Sequence, residues 1–131
     1  MTYSKSILLV DDDNISNFLV SLQLSTLENP LPFHIAINAE AAIKYLKSLD
    51  KASKVLILLD IHMPVLDGFE FLEHLENVLD IEKSLLDIVI ISSSIVQKDF
   101  DKANEIGIHK FLLKPIKKEN LQLIINEFEL V

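Results

Sequence analysis

The sequence has no cysteine among its 131 residues, which excludes disulfide bonds, thiol nucleophiles and zinc–thiolate sites. Long apolar runs are also absent. The longest spans only residues 55–59, whereas a helix needs about 20 apolar residues to cross a bilayer. The first residues lack the apolar stretch of a signal peptide. We therefore expect a cytoplasmic protein that does not insert into membranes.

Positive charge is scarce. The chain has 12 Lys and Arg residues against 20 Asp and Glu residues, and its net charge is −8. Because phosphate backbones are bound by clustered basic residues, this balance argues against nucleic acid as a direct partner and suits a small cation better. Half of the residues are hydrophobic and no low-complexity linker interrupts the chain. We therefore expect one domain across residues 1–131.

Short apolar runs alternate with helical patterns along the chain. Five such runs predict strands, at residues 7–10, 33–37, 55–59, 88–91 and 108–113. A helical pattern follows each of them. Five strands that alternate with five helices predict an α/β domain, in which helices cover both faces of a parallel sheet.

The predicted helices each carry an apolar stripe that is expected to pack on the sheet. The first stripe consists of Ile15, Phe18, Leu19 and Leu22. The later stripes consist of Ala42, Ile43, Leu46 and Leu49; Phe69, Leu72, Leu75 and Leu79; Phe100, Ala103 and Ile106; and Leu121, Ile124, Ile125 and Phe128. Asp13 and Asn14 are expected to cap the first helix, and Gly107 to end the fourth. Residues 80–87 are predicted to form a loop.

Polar side chains follow four of the five predicted strands. Asp11 and Asp12 end the first strand, Asp60 the third, Ser92 the fourth and Lys114 the fifth. Ligands of open parallel sheets collect at the carboxyl ends of the strands, so we expect these groups to line one crevice. Clustered carboxylates repel one another, and a divalent cation relieves that repulsion. Carboxylates with positions left for water favour Mg²⁺.

One aspartate of such a site can act as a nucleophile. Attack on phosphorus would give an aspartyl phosphate, while the metal and Lys114 neutralise the phosphoryl oxygens. The Ser92 hydroxyl can bond a phosphoryl oxygen only when the phosphoryl group is present. That difference between two states is the basis of a switch.

These strand ends resemble the motifs of response regulator receiver domains of two-component signal transduction. That family carries an acidic pair after the first strand, Asp-x-x-Met-Pro-x-x-Asp-Gly after the third, Ser or Thr after the fourth and Lys-Pro after the fifth. The corresponding residues here are Asp11-Asp12, residues 60–68, Ser92 and Lys114-Pro115. The resemblance extends from Ile7 to about Phe128. It implies a flavodoxin-like (βα)5 fold with strand order 2-1-3-4-5.

The resemblance implies a stand-alone receiver without an output domain, similar to single-domain chemotaxis regulators. Such a protein is not an enzyme beyond its own phosphorylation and dephosphorylation. Its phosphoryl donor would be a sensor histidine kinase or a histidine phosphotransfer protein. Asp60 would be the phosphoacceptor, with Mg²⁺ held directly by Asp60 and Asp12, through water by Asp11 and by the backbone carbonyl of His62. Lys114 would pair with the phosphoryl group.

The resemblance also implies a switch. Ser92 would close on the phosphoryl group, and Phe111 falls where the family carries an aromatic ring that turns inward as the hydroxyl moves. Residues 97–131 would then form the surface for a downstream partner, onward phosphotransfer or a phosphorylation-dependent dimer. Ser92 lacks the methyl group of the commoner Thr, and Phe111 lacks the hydroxyl of a Tyr. The family holds the bond equivalent to Lys114-Pro115 in cis.

Two other classes of protein remain open. A pseudo-receiver would bind partners without phosphorylation, but such proteins usually lack an acid or the lysine, and none is missing here. A haloacid-dehalogenase-type phosphatase would use Asp11 as nucleophile and Asp13 as acid, but this leaves residues 60–68 unexplained. The remaining histidines lack metal-ligand spacing and are expected to be structural or exposed. They are His34, His74 and His109.

Overall fold

The computed structural model describes residues 4–63, 67–78 and 83–130. The strands are β1 (Ser4–Val10), β2 (Phe33–Ala36), β3 (Ser53–Asp60), β4 (Leu86–Ser92) and β5 (Phe111–Leu113). The helices are α1 (Asn14–Ser25), α2 (Ala39–Ser48), α3 (Gly68–Val78), α4 (Gln97–Glu105) and α5 (Lys118–Glu129). A 3₁₀ helix covers Lys83–Leu85. The predicted α/β alternation is confirmed.

The strands form one parallel sheet in the order β2-β1-β3-β4-β5, as the resemblance implied. β3 lies at the centre, and helices cover it on both sides. This double burial explains why its sequence is a continuous apolar run rather than an alternating one. The strand order reverses between β1 and β3, which opens a crevice at their carboxyl ends.

Two apolar cores lie on opposite faces of the sheet. Leu8 and Val10 belong to the core that includes residues of α2, α3 and α4. Ile7 and Leu9 belong to the core that includes residues of α1 and α5. Consecutive residues of β1 therefore supply opposite cores, as the pleat of a strand requires. Both cores end at the carboxyl edge of the sheet, where the polar strand ends begin.

The predicted stripe of α1 was wrong. Its members, Ile15, Phe18, Leu19 and Leu22, expose 74, 62, 49 and 50% of their surface. The buried side chains of this helix are instead Asn17, Val20 and Leu24, spaced i, i+3 and i+7. The helix thus carries two stripes of helical period, and periodicity alone does not say which of them meets the sheet. We call the exposed set, Ile15, Phe18, Leu19 and Leu22, the outer face of α1.

The predicted stripe of α5 is confirmed. Leu121, Ile125 and Phe128 are buried, and Ile124 packs against them partly buried. In the other helices, Ala42 and Leu46 of α2, Leu72 and Leu75 of α3 and Ala103 of α4 are buried. Ile106 is 51% exposed because it lies just beyond the end of α4. Gly107 follows it with a φ of 81°, which confirms its predicted role at the helix end.

Several predicted boundaries were wrong. β1 begins at Ser4 and β3 at Ser53, because polar residues at strand starts still pair with their neighbours. The predicted loop at 80–87 contains the 3₁₀ helix and the start of β4, where Leu86 pairs with Val55. β2 stops at Ala36, and β5 holds only Phe111–Leu113. Pro64, Leu79 and residues 80–82, which also carried predictions, lie outside the described residues.

Within the described part of the chain, no helix combines the length and apolar character needed to cross a membrane.

Candidate functional site

The carboxyl edge of the sheet brings three predicted site residues into direct contact. Asp60 is the last residue of β3, and Asp11 and Lys114 directly follow β1 and β5. The Lys114 ammonium Nζ lies 2.6 Å from Asp11 Oδ2 and 3.2 Å from Asp60 Oδ2. Asp11 is fully buried and Asp60 is 5% exposed. One lysine therefore bridges two buried carboxylates that come from different strands.

Asp12 completes an acidic cluster with Asp11 and Asp60. An oxygen of each carboxylate lies within 4.8 Å of the others, and Asp12 is exposed. Three carboxylates against the single charge of Lys114 leave the cluster with a negative excess that a divalent cation would offset. All the donors are hard oxygens and one edge is open to water, which fits Mg²⁺ better than a transition metal. The residues present therefore fit the metal that the sequence predicted.

The charges in this cluster shift one another's pKa values. Burial raises the pKa of Asp60, the His62 backbone N–H opposes that shift, and Asp11 adds to it. Burial would lower the pKa of Lys114, but the hydrogen bond and charge of Asp11, with those of Asp60, outweigh it and the pKa is raised. The site thus disfavours the charged form of Asp60 and favours the charged form of Lys114.

Two backbone N–H groups that follow β3 bond to residues at the end of this strand. The His62 backbone N–H donates to Asp60 Oδ1 at 2.8 Å. The Gly68 N–H donates to the Ile61 carbonyl at 3.3 Å, which brings the start of α3 against the strand end. A Cβ at Gly68 would lie 2.7 Å from Ile61 Cα and 2.9 Å from the Asp60 carbonyl oxygen. Glycine is therefore required sterically at this position.

The loop after β1 is fixed by side-chain caps. Asp11 Oδ1 accepts from the Asp13 backbone N–H at 3.0 Å. Asp13 is the N-cap of α1, and its Oδ1 accepts from the Ile15 and Ser16 N–H groups, so its predicted capping role is confirmed. Asn14 is the first helical residue rather than the cap. Capping thus orients the acidic pair that precedes the helix.

The described contacts of Ser92 and Phe111 are made with groups other than the acids. Ser92 is fully buried, and its Oγ donates to the Ser94 carbonyl at 2.8 Å. Phe111 is partly buried, and its ring centroid lies 4.6 Å from that of Phe100 on α4. The Lys114 backbone N–H donates to the Ser92 carbonyl at 2.8 Å. The Lys114-Pro115 bond is cis, as the resemblance implied.

Two residues near the site were missed by sequence reasoning. Asn17 is 4% exposed, and its Nδ2 donates to the Asp11 carbonyl at 2.9 Å, so it anchors α1 to the end of β1. Asp99 of α4 is 9% exposed, and its Oδ2 lies 3.8 Å from His62 Nε2. Asn17 lies at helical spacing from Val20 and Leu24, and this spacing could have identified it in the sequence as a residue of the buried face of α1. No signal in the sequence pointed to Asp99.

The three other histidines take no part in the acidic cluster. His34 stacks on Tyr45 with ring centroids 4.2 Å apart, and His109 Nδ1 lies 2.7 Å from Asn104 Oδ1. His74 is exposed on α3.

Comparison with known proteins identifies relatives that match most of the chain. The sequence model of the response regulator receiver domain family matches residues 7–126. A protein-glutamate methylesterase/protein-glutamine glutaminase of Desulfotalea psychrophila is 33% identical over 86% of the chain, and the chain spans 29% of its length. The rice two-component response regulator ORR41 is 29% identical over 95% of the chain and 94% of its own length.

A solved structure has the same fold. The receiver domain of the Saccharomyces cerevisiae response regulator Ssk1, crystallised with the histidine phosphotransfer protein Ypd1, superposes with a TM-score of 0.77. The match covers 98% of this chain and 90% of that one at 23% sequence identity. None of these similarities supports the phosphatase alternative, in which Asp11 would be the nucleophile.

Proposed function

Because the chain belongs to the response regulator receiver domain family, we propose that it accepts a phosphoryl group from a phosphohistidine onto Asp60 and signals through protein contact. The observation that carries this proposal is the bridge from Lys114 to both Asp11 and Asp60. It supplies a carboxylate nucleophile and a cation for the phosphoryl oxygens in one water-poor crevice.

Mg²⁺ would be held by Asp60, by Asp12 and by the backbone carbonyl of His62, with Asp11 binding through water. Bound there, the metal supplies neutralisation of the phosphoryl oxygens. Asp12 lies at the exposed rim of the cluster, which supports its role as a direct ligand of an incoming ion. Asp11 is buried against Lys114, which supports binding of the metal through water.

The transfer step is a substitution at phosphorus. An Asp60 carboxylate oxygen forms the new P–O bond while the P–N bond to the donor imidazole breaks. The electron pair of the broken bond stays on the imidazole nitrogen, which can then take up a proton. The Lys114 ammonium lies 3.2 Å from Asp60 Oδ2, and it compensates the charge that the phosphoryl oxygens bring to this edge.

The switch would use Ser92 and Phe111. In the structure the Ser92 hydroxyl donates a hydrogen bond to the Ser94 carbonyl. It must give up this bond in order to donate to a phosphoryl oxygen. Phe111 touches Phe100 on α4, which gives the movement a path to residues 97–131. That surface would serve a downstream partner, onward phosphotransfer or a second copy of the chain.

The outer face of α1 is the surface we assign to the phosphoryl donor. Asp60 is 5% exposed, so a donor must lie against the rim of the crevice to reach it. α1 begins three residues after Asp11, and it presents apolar side chains such as Phe18, 62% exposed. An exposed apolar patch of this kind marks a protein interaction site.

The donor would be a sensor histidine kinase or a histidine phosphotransfer protein of the cytoplasm. The complex of the yeast Ssk1 receiver with Ypd1 supports the second of these. We propose a signalling domain that acts on no external substrate and binds neither nucleic acid nor membranes. The complete set of acids and Lys114 argues against a pseudo-receiver.

Intact mass after incubation with acetyl phosphate tests the proposal. Wild type should gain one phosphoryl group only when Mg²⁺ is present, and Asp60→Ala should gain none. Asp101→Ala, an exposed aspartate on α4, is the matched control and should behave as wild type. No gain in wild type would favour a pseudo-receiver, and a gain that persists in Asp60→Ala would place the nucleophile elsewhere.

A further inference from the structure

Two contacts in series lead from the phosphoacceptor to the first turn of α4. Asp60 Oδ1 accepts from the His62 backbone N–H at 2.8 Å. The imidazole Nε2 of the same His62 lies 3.8 Å from Asp99 Oδ2. One residue therefore touches both the acceptor carboxylate and α4. We propose that Asp99 is a positioning residue that couples the state of Asp60 to α4 through His62, an inference that rests on the function proposed above.

Asp99 also closes the first turn of α4. The N-cap of this helix is Val96, whose side chain has no oxygen to cap the helix. Asp99 Oδ2 accepts from the Val96 backbone N–H at 3.4 Å. The oxygen that meets His62 is thus the same oxygen that holds the start of α4. If His62 moves away from Asp99 Oδ2, the contact of this oxygen with the imidazole is lost and its hydrogen bond with the Val96 N–H changes.

The chemistry of phosphorylation acts on the first contact of the series. The His62 N–H now donates to a carboxylate, a charge-assisted bond. Once phosphorus is bonded to Asp60, the carboxylate becomes a neutral acyl group, and the negative charge moves to the phosphoryl oxygens. The bond to His62 weakens, and the residue can shift relative to Asp99.

This coupling is separate from the pair formed by Ser92 and Phe111. Ser92 bonds within its own loop, and among the described residues neither its hydrogen bonds nor the ring contact of Phe111 involve His62. The two routes converge on α4, because Phe100 follows Asp99 and packs against Phe111. His62 is half exposed, so its contact with Asp99 is screened by water. We expect an effect of about two- to fivefold.

The test uses beryllofluoride with Mg²⁺ as a phosphoryl analogue. Fluorine NMR reports its binding, and amide hydrogen exchange reports residues 97–105. Asp99→Asn keeps an oxygen for the Val96 N–H but loses the charge. Asp101→Asn is the matched control, since Asp101 lies on the same helix, is exposed and, within the part of the chain that the structure describes, accepts from Gln97.

In wild type and Asp101→Asn, beryllofluoride should change amide exchange in the first turn of α4. In Asp99→Asn that change should shrink by about two- to fivefold, although beryllofluoride still binds and the thermal midpoint stays close to wild type. His62→Gln keeps the backbone N–H and carbonyl, and the change should shrink equally when it is measured at saturating beryllofluoride and Mg²⁺. In the double variant, the change in amide exchange should be no smaller than in either single variant. A full response in either single variant overturns the coupling, whereas a wild type that binds no beryllofluoride overturns the proposed function as well.

Discussion

Helices α1 and α5 pack on the same face of the sheet but use their apolar residues differently. α5 turns its predicted stripe inward and buries Leu121 and Phe128 completely or nearly so. α1 leaves its predicted stripe in water and buries Asn17, Val20 and Leu24. The comparison shows that apolar residues of one helical pattern can form the core in one helix and stay exposed in another. Both helices start close to the site, α1 three residues after Asp11 and α5 four residues after Lys114, so experiments have to separate their roles.

The largest predicted effect separates the two helices by stability. Phe128→Ala removes a ring that is 1% exposed and should lower the free energy of unfolding by about 3–5 kcal/mol. Phe18→Ala removes a ring that is 62% exposed and should change it by less than about 0.5 kcal/mol. Urea unfolding of both variants measures the difference. Equal losses would mean that the outer face of α1 is part of the core.

The second prediction sharpens the comparison by function. Phe18→Ala should slow phosphotransfer from a histidine phosphotransfer protein by about tenfold, the effect of losing one anchor of an interface. Its phosphorylation by acetyl phosphate, which needs no docking surface, should stay unchanged. Leu123→Ala, 63% exposed on α5, is the matched control. If Leu123→Ala slows the transfer as much as Phe18→Ala does, the donor does not select α1.

The third prediction concerns the polar member of the buried face of α1. Asn17→Ala removes the hydrogen bond to the Asp11 carbonyl and should lower the free energy of unfolding by about 1–2 kcal/mol. It should also weaken Mg²⁺ binding, measured by titration calorimetry, because the acidic pair loses an anchor. Unchanged stability and unchanged Mg²⁺ affinity together would show that Asn17 only fills space.

The smallest predicted effect is a pH dependence without metal. The pKa of Asp60 is raised in the folded state, so between its ordinary and folded values the folded protein holds more protons than the unfolded one. Stability should therefore fall as pH rises through the folded pKa. Asp60→Asn should lose this component and melt at a higher temperature than wild type at neutral pH. An equally steep pH dependence in Asp60→Asn would assign it to another group.

Much of the fold could be predicted because its signals are local. The apolar run of β3 ends in Asp60, so the strand and the site residue were both readable from one stretch. The sheet order followed from the resemblance. The outer face of α1 could not be predicted, since both of its stripes have helical period. The start of β4 was hidden because Asp87 is a polar residue inside a strand.

The residues of the candidate site that lie at strand ends could be predicted from the sequence. Asp11, Asp60 and Lys114 each follow an apolar run, and parallel strands place such residues at one edge. The contacts made by Asp99 and Asn17 depend instead on how helices are placed on the sheet. Such placement is decided by packing between residues far apart in sequence, which no local pattern contains.

Transfer from a phosphohistidine onto Asp60 is the central claim, and peptide mapping after transfer tests it most directly. A phosphorylated histidine phosphotransfer protein is mixed with wild type and Mg²⁺, and the product is reduced with borohydride, which converts an acyl phosphate to an alcohol. We expect the peptide that contains Asp60 to carry homoserine at that position, and no other aspartate to be converted. Conversion of Asp11 or Asp12 in place of Asp60, or of no aspartate in a chain that has taken up phosphate, would contradict the claim.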